Sequence, residues 1–303
     1  MKLKYLGVLL LLGALWGASF LFIKIGVAEM PPDTLVALRL IIGALILLVA
    51  LYVSGQRLPL GWSVWRDFAF IGFIGLIMPF TLITWGEQSI PSGMAAILNG
   101  ITPLFSALIA YLWMRSEHLS GLKLLGVMLG FVGVIVAVGI TQFSLRSAST
   151  QAQLAVLLAA ACYGLSGVYS RKAFKGMPAL VPATGQLVAG ALMLTPVALL
   201  RSGIPNPLPS FGALAAVLAL GVFGTAVAYI MLYWLIERIG ATRTSMVTYL
   251  VAPFGLMYGA VFLNELISPN TLFGLGLVVV GILLANGVIA PRARRSVVEQ
   301  VQP

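Results

Sequence analysis

Ten stretches of about twenty apolar residues follow one another along this chain, with short polar connections between most of them. They run near 5–26, 34–54, 68–86, 93–113, 121–141, 153–174, 180–200, 211–236, 243–264 and 271–290. A helix of roughly 20 apolar residues is what the ~30 Å hydrocarbon core of a bilayer requires. Lipid offers no water to backbone N–H and C=O groups, so a spanning segment must satisfy them internally as a helix or in a closed barrel. Barrel strands would read as ~10-residue alternating segments, a pattern not seen here. The expected fold class is therefore an all-α membrane protein with ten transmembrane helices. Composition agrees: 60% of the 303 residues are hydrophobic and 9% charged, against about 25% charged in soluble domains. The first span follows a basic start, as a signal peptide does. It is followed by no clean small-x-small site, so it is expected to stay as the first helix.

The net charge of +10 is explained by sidedness and calls for no nucleic acid. With the N-terminus inside, the inner side holds Lys2, Lys4, Arg57, Arg66, Arg115, Lys123, Arg171, Lys172, Lys175, Arg238, Arg243, Arg292, Arg294 and Arg295. The outer loops hold Arg146 and Arg201, while Lys24 and Arg39 fall within helix ends on the outer side. This 14-to-2 split predicts both termini in the cytoplasm of a multi-pass protein of the cell (inner) membrane. The tail, residues 292–303, carries three arginines suited to anionic lipid headgroups. A single cysteine, Cys162, excludes an internal disulfide.

The chain repeats itself. EHLSGLKLLG, Glu117 to Gly126, is echoed by ELISPNTLFG, Glu265 to Gly274, 148 residues later, and Gly133 and Gly281 extend the match. Trp16-Gly17-Ala18-Ser19 pairs with Tyr163-Gly164-Leu165-Ser166, Lys24 with Arg171 and Gly43 with Gly190, all at offset 147. Gly72, Gly75 and Trp85 pair with Gly221, Gly224 and Trp234 at offset 149, and Pro103 with Pro253 at 150. Two five-helix units follow, residues 1–145 and 150–291. Because five is odd, the second copy enters from the opposite side, which predicts two inverted repeats about an axis in the membrane plane. Ser120 and Ser268 are placed to cap the fifth and tenth helices, with Pro269 at the first helical position. Gly126, Gly130 and Gly133, like Gly274 and Gly281, offer smooth faces for close helix packing. Small-residue pairs such as Gly13/Gly17 and Gly255/Gly259 serve packing within the chain or a dimer contact, so the state is monomer or homodimer.

The W-G-x-S opening of the first copy, the proline in the fourth helix of each half and the E-x-x-S-x5-G-x6-G closing phrase resemble the drug/metabolite transporter superfamily, of the EamA-like ten-helix type. The resemblance covers about residues 5–290. It implies ten helices in two inverted repeats, cytoplasmic termini, a central cavity and, commonly, export of amino acids or other small metabolites. Where many members carry Asn, this chain has Ser19.

Polar and aromatic residues inside apolar spans mark where a solute would sit. Trp16, Ser19 and Phe20 share one face of the first helix by i, i+3, i+4 spacing, and the sixth repeats it with Tyr163 and Ser166. The third helix adds Met78, Thr81 and Trp85, and the eighth Tyr229 and Tyr233. Asn99 and Tyr249 each stand four residues before a proline that deprives their carbonyls of an N–H partner. These twelve residues are the candidate substrate-binding set. They bring hydroxyls, an amide and π-faces but no mid-membrane carboxylate, which suits a neutral, zwitterionic or amphipathic solute. No ligand set for a metal and no cofactor is expected. Helix-end charges suggest alternating ion pairs as gates: Lys24 or Arg39 with Glu87 at the outer mouth, and Arg171 with Glu237 at the inner one. Their alternative role is as interface residues whose heads reach water. With no acid deep in a span, transport down the solute's own gradient fits as well as proton coupling through a helix-end acid.

Catalysis is not expected. There is no G-x-x-x-x-G-K-[ST] loop, and the one histidine, His118, cannot build H-E-x-x-H zinc chemistry. The leading reading is a secondary transporter exporting amino acids or related metabolites by alternating access. Beside it stand a uniporter or a drug or nucleoside exporter of the same fold, then a passive channel or a membrane-embedded enzyme. The partners implied are a small-molecule solute and membrane lipid.

Overall fold

The computed structural model describes residues 3–113, 121–139 and 144–286. Glu117, Ser120 and the tail 292–303 lie outside these, so the expected cap on the fifth helix is not among the described features. Among the described residues every regular element is helical. We number the long helices α1 Leu3–Val27, α2 Pro32–Val53, α3 Trp62–Gly86, α4 Ser92–Trp113, α5 Gly121–Val138, α6 Ala148–Ala173, α7 Leu180–Arg201, α8 Phe211–Ile239, α9 Ser245–Leu263 and α10 Pro269–Ala285. The first nine are long and apolar enough to cross a membrane, and α10 is a shorter apolar helix of the same character. Each coincides within a few residues with a span expected from hydropathy.

Local chemistry sets the helix ends. Ser147, Ser210 and Ser268 cap α6, α8 and α10, each accepting an N–H three residues on, at 3.1 to 3.3 Å. Pro269 fills the first position of α10, where no N–H partner is needed. Helix α9 ends at Asn264, whose φ of 55° turns the chain back toward Glu265. Helix α4 starts after Pro91, which has no side-chain acceptor to cap it.

Packing partners obey a symmetry. Helix α1 packs on α8 and α9, and α6 on α3 and α4; α2 packs on α8, and α7 on α3. Exchanging α1–α5 for α6–α10 turns each of these contacts into another of them. The pairs α2–α7, α4–α9 and α5–α10 map onto themselves. Glycines bring α5 and α10 into backbone contact: a Cβ on Gly133 would lie 2.7 Å from Val278 N, and one on Gly126 2.5 Å from Ala285 N.

Helices α3 and α8 each contain a π-helical turn, at Phe73–Ile77 and Val222–Val227. Gly75 lies in the first and Gly224 in the second. A Cβ on Gly75 would come 2.6 Å from Ser166 Oγ, and one on Gly224 2.7 Å from Ser19 Oγ. The W-G-x-S and Y-G-x-S serines thus each abut a π turn of the opposite half.

Candidate functional site

A cavity of about 260 Å³ opens at the centre of the bundle, a volume below the range typical of drug-sized pockets. Seven helices line it, from both halves: α1, α2, α3, α4, α6, α8 and α9. Six of the twelve expected residues converge there: Trp16, Ser19, Phe20, Asn99, Tyr163 and Tyr229. The other six stand apart from the lining. Trp85 is 41% exposed on the outside of the bundle. Tyr233 reaches the site only through its ring contact with Tyr229, centroids 6.1 Å apart. The Tyr249 hydroxyl accepts a hydrogen bond from Asn286 Nδ2 at 2.6 Å. Ser166 holds its own backbone, donating to Tyr163 O at 3.4 Å, and Met78 and Thr81 are half-buried elsewhere on α3.

The proline in α4 acts as expected. The helix breaks at Ile101, before Pro103. Thr102 Oγ1 donates to the freed carbonyl of Asn99 at 2.8 Å. Asn99 and Thr102 both face the cavity, and Asn99 Oδ1 is buried without accepting a hydrogen bond from any described residue.

Arg39 is the residue whose position the sequence reading did not foresee. It lines the cavity, 4% exposed, and meets the π turn of α8, not Glu87. Its Nε donates to Thr225 Oγ1 at 2.9 Å and its Nη2 to Gly224 O at 3.4 Å. The guanidinium lies over Phe80, 3.7 Å from the ring centroid. The cause is local. One turn along α2, Gly43 lets α8 approach so closely that a Cβ there would sit 2.8 Å from Thr225 Cγ2. Thr225 in turn donates to Leu220 O five residues back, at 2.9 Å, where α8 enters its π turn. The signal in the sequence was a cation seven residues into α2 with no acid deep in a span to pair with it.

Of the other gating candidates, Lys24 is tied to backbone. The Lys24 ammonium donates to the carbonyls of Glu87 and, at 2.9 Å, Ile90, satisfying the C-terminal end of α3. The Glu87 carboxylate is fully buried and accepts no hydrogen bond from a described residue. Glu237 lies 3.8 Å from its neighbour Arg238, and Arg171 stands in the last turn of α6. Glu265, from the repeated phrase, does what Pro91 cannot. Its two carboxylate oxygens accept the N–H groups of Ser92 and Gly93 at 2.7 and 2.9 Å, capping α4 from 172 to 173 residues away. Further bonds join the halves at this same end. Asp33 accepts the Ser202 hydroxyl at 2.8 and 2.9 Å. Glu29 accepts the Ser210 N–H and hydroxyl at 2.6 and 2.7 Å, and those bonds hold its carboxyl below the ordinary carboxylate value. At the opposite end Tyr169 donates to Asp67 at 2.8 Å. Among the described residues no cluster of side chains could hold a metal ion.

A helical bundle of membrane-spanning length around a central polar and aromatic cavity defines the class of polytopic helical membrane proteins. The profile of the EamA-like transporter family matches this chain twice, over residues 3–139 and 150–287, and the chain belongs to that family. Similar proteins include the uncharacterized transporter YoaV of Bacillus subtilis, 24% identical over 89% of this chain and 92% of that one. The uncharacterized inner membrane transporter YedA of Escherichia coli K12 is 24% identical over 94% and 91%. A probable terminal-alkyne amino-acid exporter of Streptantibioticus cattleyicolor is 28% identical over 94% and 95%. A crystal structure of a protein covering 97% of its own chain superposes on 94% of this one with a TM-score of 0.66 at 20% identity, which establishes the shared fold.

Proposed function

We propose that this protein is a secondary transporter that exports amino acids or related small metabolites by alternating access, its two five-helix halves inverted relative to each other in the inner membrane. The observation that carries the reading is the central cavity, to which both halves contribute aromatic, hydroxyl and amide groups. Inverted halves meeting around a midplane site are the geometry in which one half opens outward as the other opens inward. The exchange symmetry of helix contacts and the odd number of spans per half support the inversion. The similarity to a probable amino-acid exporter supports the solute class.

The charge distribution puts the end that carries Lys24, Glu29, Asp33 and Glu265 outside. That end is laced by bonds between the halves, whereas the cavity reaches Leu232 and Thr248 toward the cytoplasmic end. This supports an inward-facing state, ready to load from the cytoplasm. A solute that accumulates inside then leaves down its own gradient.

The test is efflux from proteoliposomes loaded with a panel of labelled amino acids, with and without a pH gradient, for wild type and Trp16→Ala. Saturable efflux, abolished in the variant, is the expected result. No flux of any amino acid by well-folded wild type would overturn the substrate class.

A further inference from the structure

Resting on the transporter reading above, we propose that Arg39 is the anion-recognition group of the cavity, and that the solute carries a carboxylate which the guanidinium holds.

A buried cation must find a counter-charge or lose the solvation it had in water. Arg39 is 4% exposed, and among the described residues it forms no ion pair. Of the five N–H donors of a guanidinium, one goes to Thr225 Oγ1 and one to Gly224 O. The others have no acceptor among the described residues, and the side chain borders the cavity. The guanidinium carbon lies 3.7 Å from the Phe80 centroid, and the remaining N–H groups lie in the guanidinium's own plane, along its edge. An edge of parallel N–H groups is the shape that takes the two oxygens of a carboxylate.

Among the described residues that line the cavity, Arg39 alone carries a formal charge. One positive charge balances a carboxylate; a phosphate monoester would bring nearly two negative charges into the same space. The rest of the lining fits the rest of such a solute. Trp16, Phe20 and Tyr163 present rings for an apolar body, and Asn99 Oδ1, buried and without a donor, is an acceptor for an ammonium group. The charge is also confined to one half. The residue equivalent to Arg39 at offset 147 is Gln186, buried and neutral. Because Arg39 stands seven residues from the start of α2, the end that the charge distribution puts outside, the solute's carboxylate is held toward the outer end of the cavity, with its body toward the cytoplasmic end.

The experiment uses the full chain in proteoliposomes and matched probes: alanine, leucine and phenylalanine, each against its carboxamide, with phenyl phosphate as a dianionic control. Wild type is expected to move at least one acid about ten- to hundredfold faster than its amide, the worth of a charge-assisted pair, and to leave phenyl phosphate untransported. Arg39→Gln is expected to abolish the preference, and Arg39→Lys, which keeps the charge but loses the fork, to restore part of it. The wild-type acid-to-amide ratio stands by itself if Arg39→Gln fails to fold. Equal or faster flux of the amides, or faster flux of phenyl phosphate, would overturn the carboxylate site while leaving a working transporter. An acid preference that survives in a folded Arg39→Gln protein would overturn it too. No flux of any probe would overturn the amino-acid reading and this site together.

Discussion

Two glycines in one helix make opposite predictions for the same substitution. Gly281 of α10 faces α5 so closely that an added Cβ would lie 2.5 Å from Gly130 N, 2.7 Å from Gly126 O and 2.8 Å from Gly130 Cα. Ordinary contact begins at 3.4 Å, so the shortest approach is deficient by about 0.9 Å. The opposing atoms are backbone, which no rotamer change can move aside. Gly281→Ala must push the helices apart and forfeit packing along the seam, at a cost of about 1–3 kcal/mol. At Gly276, five residues earlier, no described atom lies within 4 Å of where a Cβ would stand. There Ala gains the ordinary advantage over Gly in a helix, about 0.5–1 kcal/mol. Thermal unfolding of the purified protein in detergent, followed by the loss of the monodisperse peak in size-exclusion chromatography, should place Gly281→Ala several degrees below wild type. Gly276→Ala should match wild type or exceed it. Equal shifts for the two variants would refute the claim that α5 and α10 touch through their backbones.

Other perturbations probe the site and its closed end. Gly224→Ala should impair transport by pressing on Ser19 Oγ, and Ser19→Ala should restore most of it, because the next atom of Ser19, its Cβ, is 3.8 Å away. The mirrored pair Gly75→Ala with Ser166→Ala should recover less, since Ser166 Cβ itself would lie at 2.9 Å; equal rescue in efflux assays would contradict this. Glu265→Ala leaves the Ser92 and Gly93 N–H groups without their acceptor and should cost about 1–3 kcal/mol in thermal unfolding, with Glu265→Gln intermediate. For Glu29 the folded pKa lies below the ordinary 4.5, so its bonds to Ser210 stabilise the fold above that pH and are lost as pH falls through the folded value. The difference in unfolding temperature between wild type and Glu29→Gln should be present at neutral pH and vanish in acid; a difference independent of pH would remove the carboxylate from the account.

The helices were legible because a bilayer imposes one length and one satisfied backbone on any segment that crosses it. The Ser268 cap, the α4 break before Pro103 and the glycine faces of α5 and α10 were legible because each depends on neighbours in sequence. Half of the cavity set was legible as well, where a polar or aromatic stripe on α1, α6 or α8 turned inward. Long-range partnerships were not. Nothing near Glu265 in the chain says that Pro91 leaves a helix start uncapped, and nothing near Arg39 says that Gly43 admits Thr225. On α3 polarity drew attention to Met78, Thr81 and Trp85, yet Phe80 and Ile83 face the cavity. All of these residues follow the π turn at Phe73–Ile77, on one regular stretch of α-helix.

That π turn sets the rotational phase of everything after it. One residue corresponds to about 100° of α-helical rotation, and a π turn absorbs one extra residue without advancing the helix by that angle. Deleting a single residue from Phe73–Ile77 would let α3 wind continuously as α-helix and leave Met78 to Gly86 on the faces they already present, with Phe80 still over the guanidinium of Arg39. The same holds for Val222–Val227 and Tyr229 on α8. Single-residue deletions at these two turns are thus the ones this cavity should tolerate, whereas a deletion elsewhere in α3 or α8, with no extra residue to absorb, would turn the side chains that follow by about 100° and present a differently composed wall to the solute.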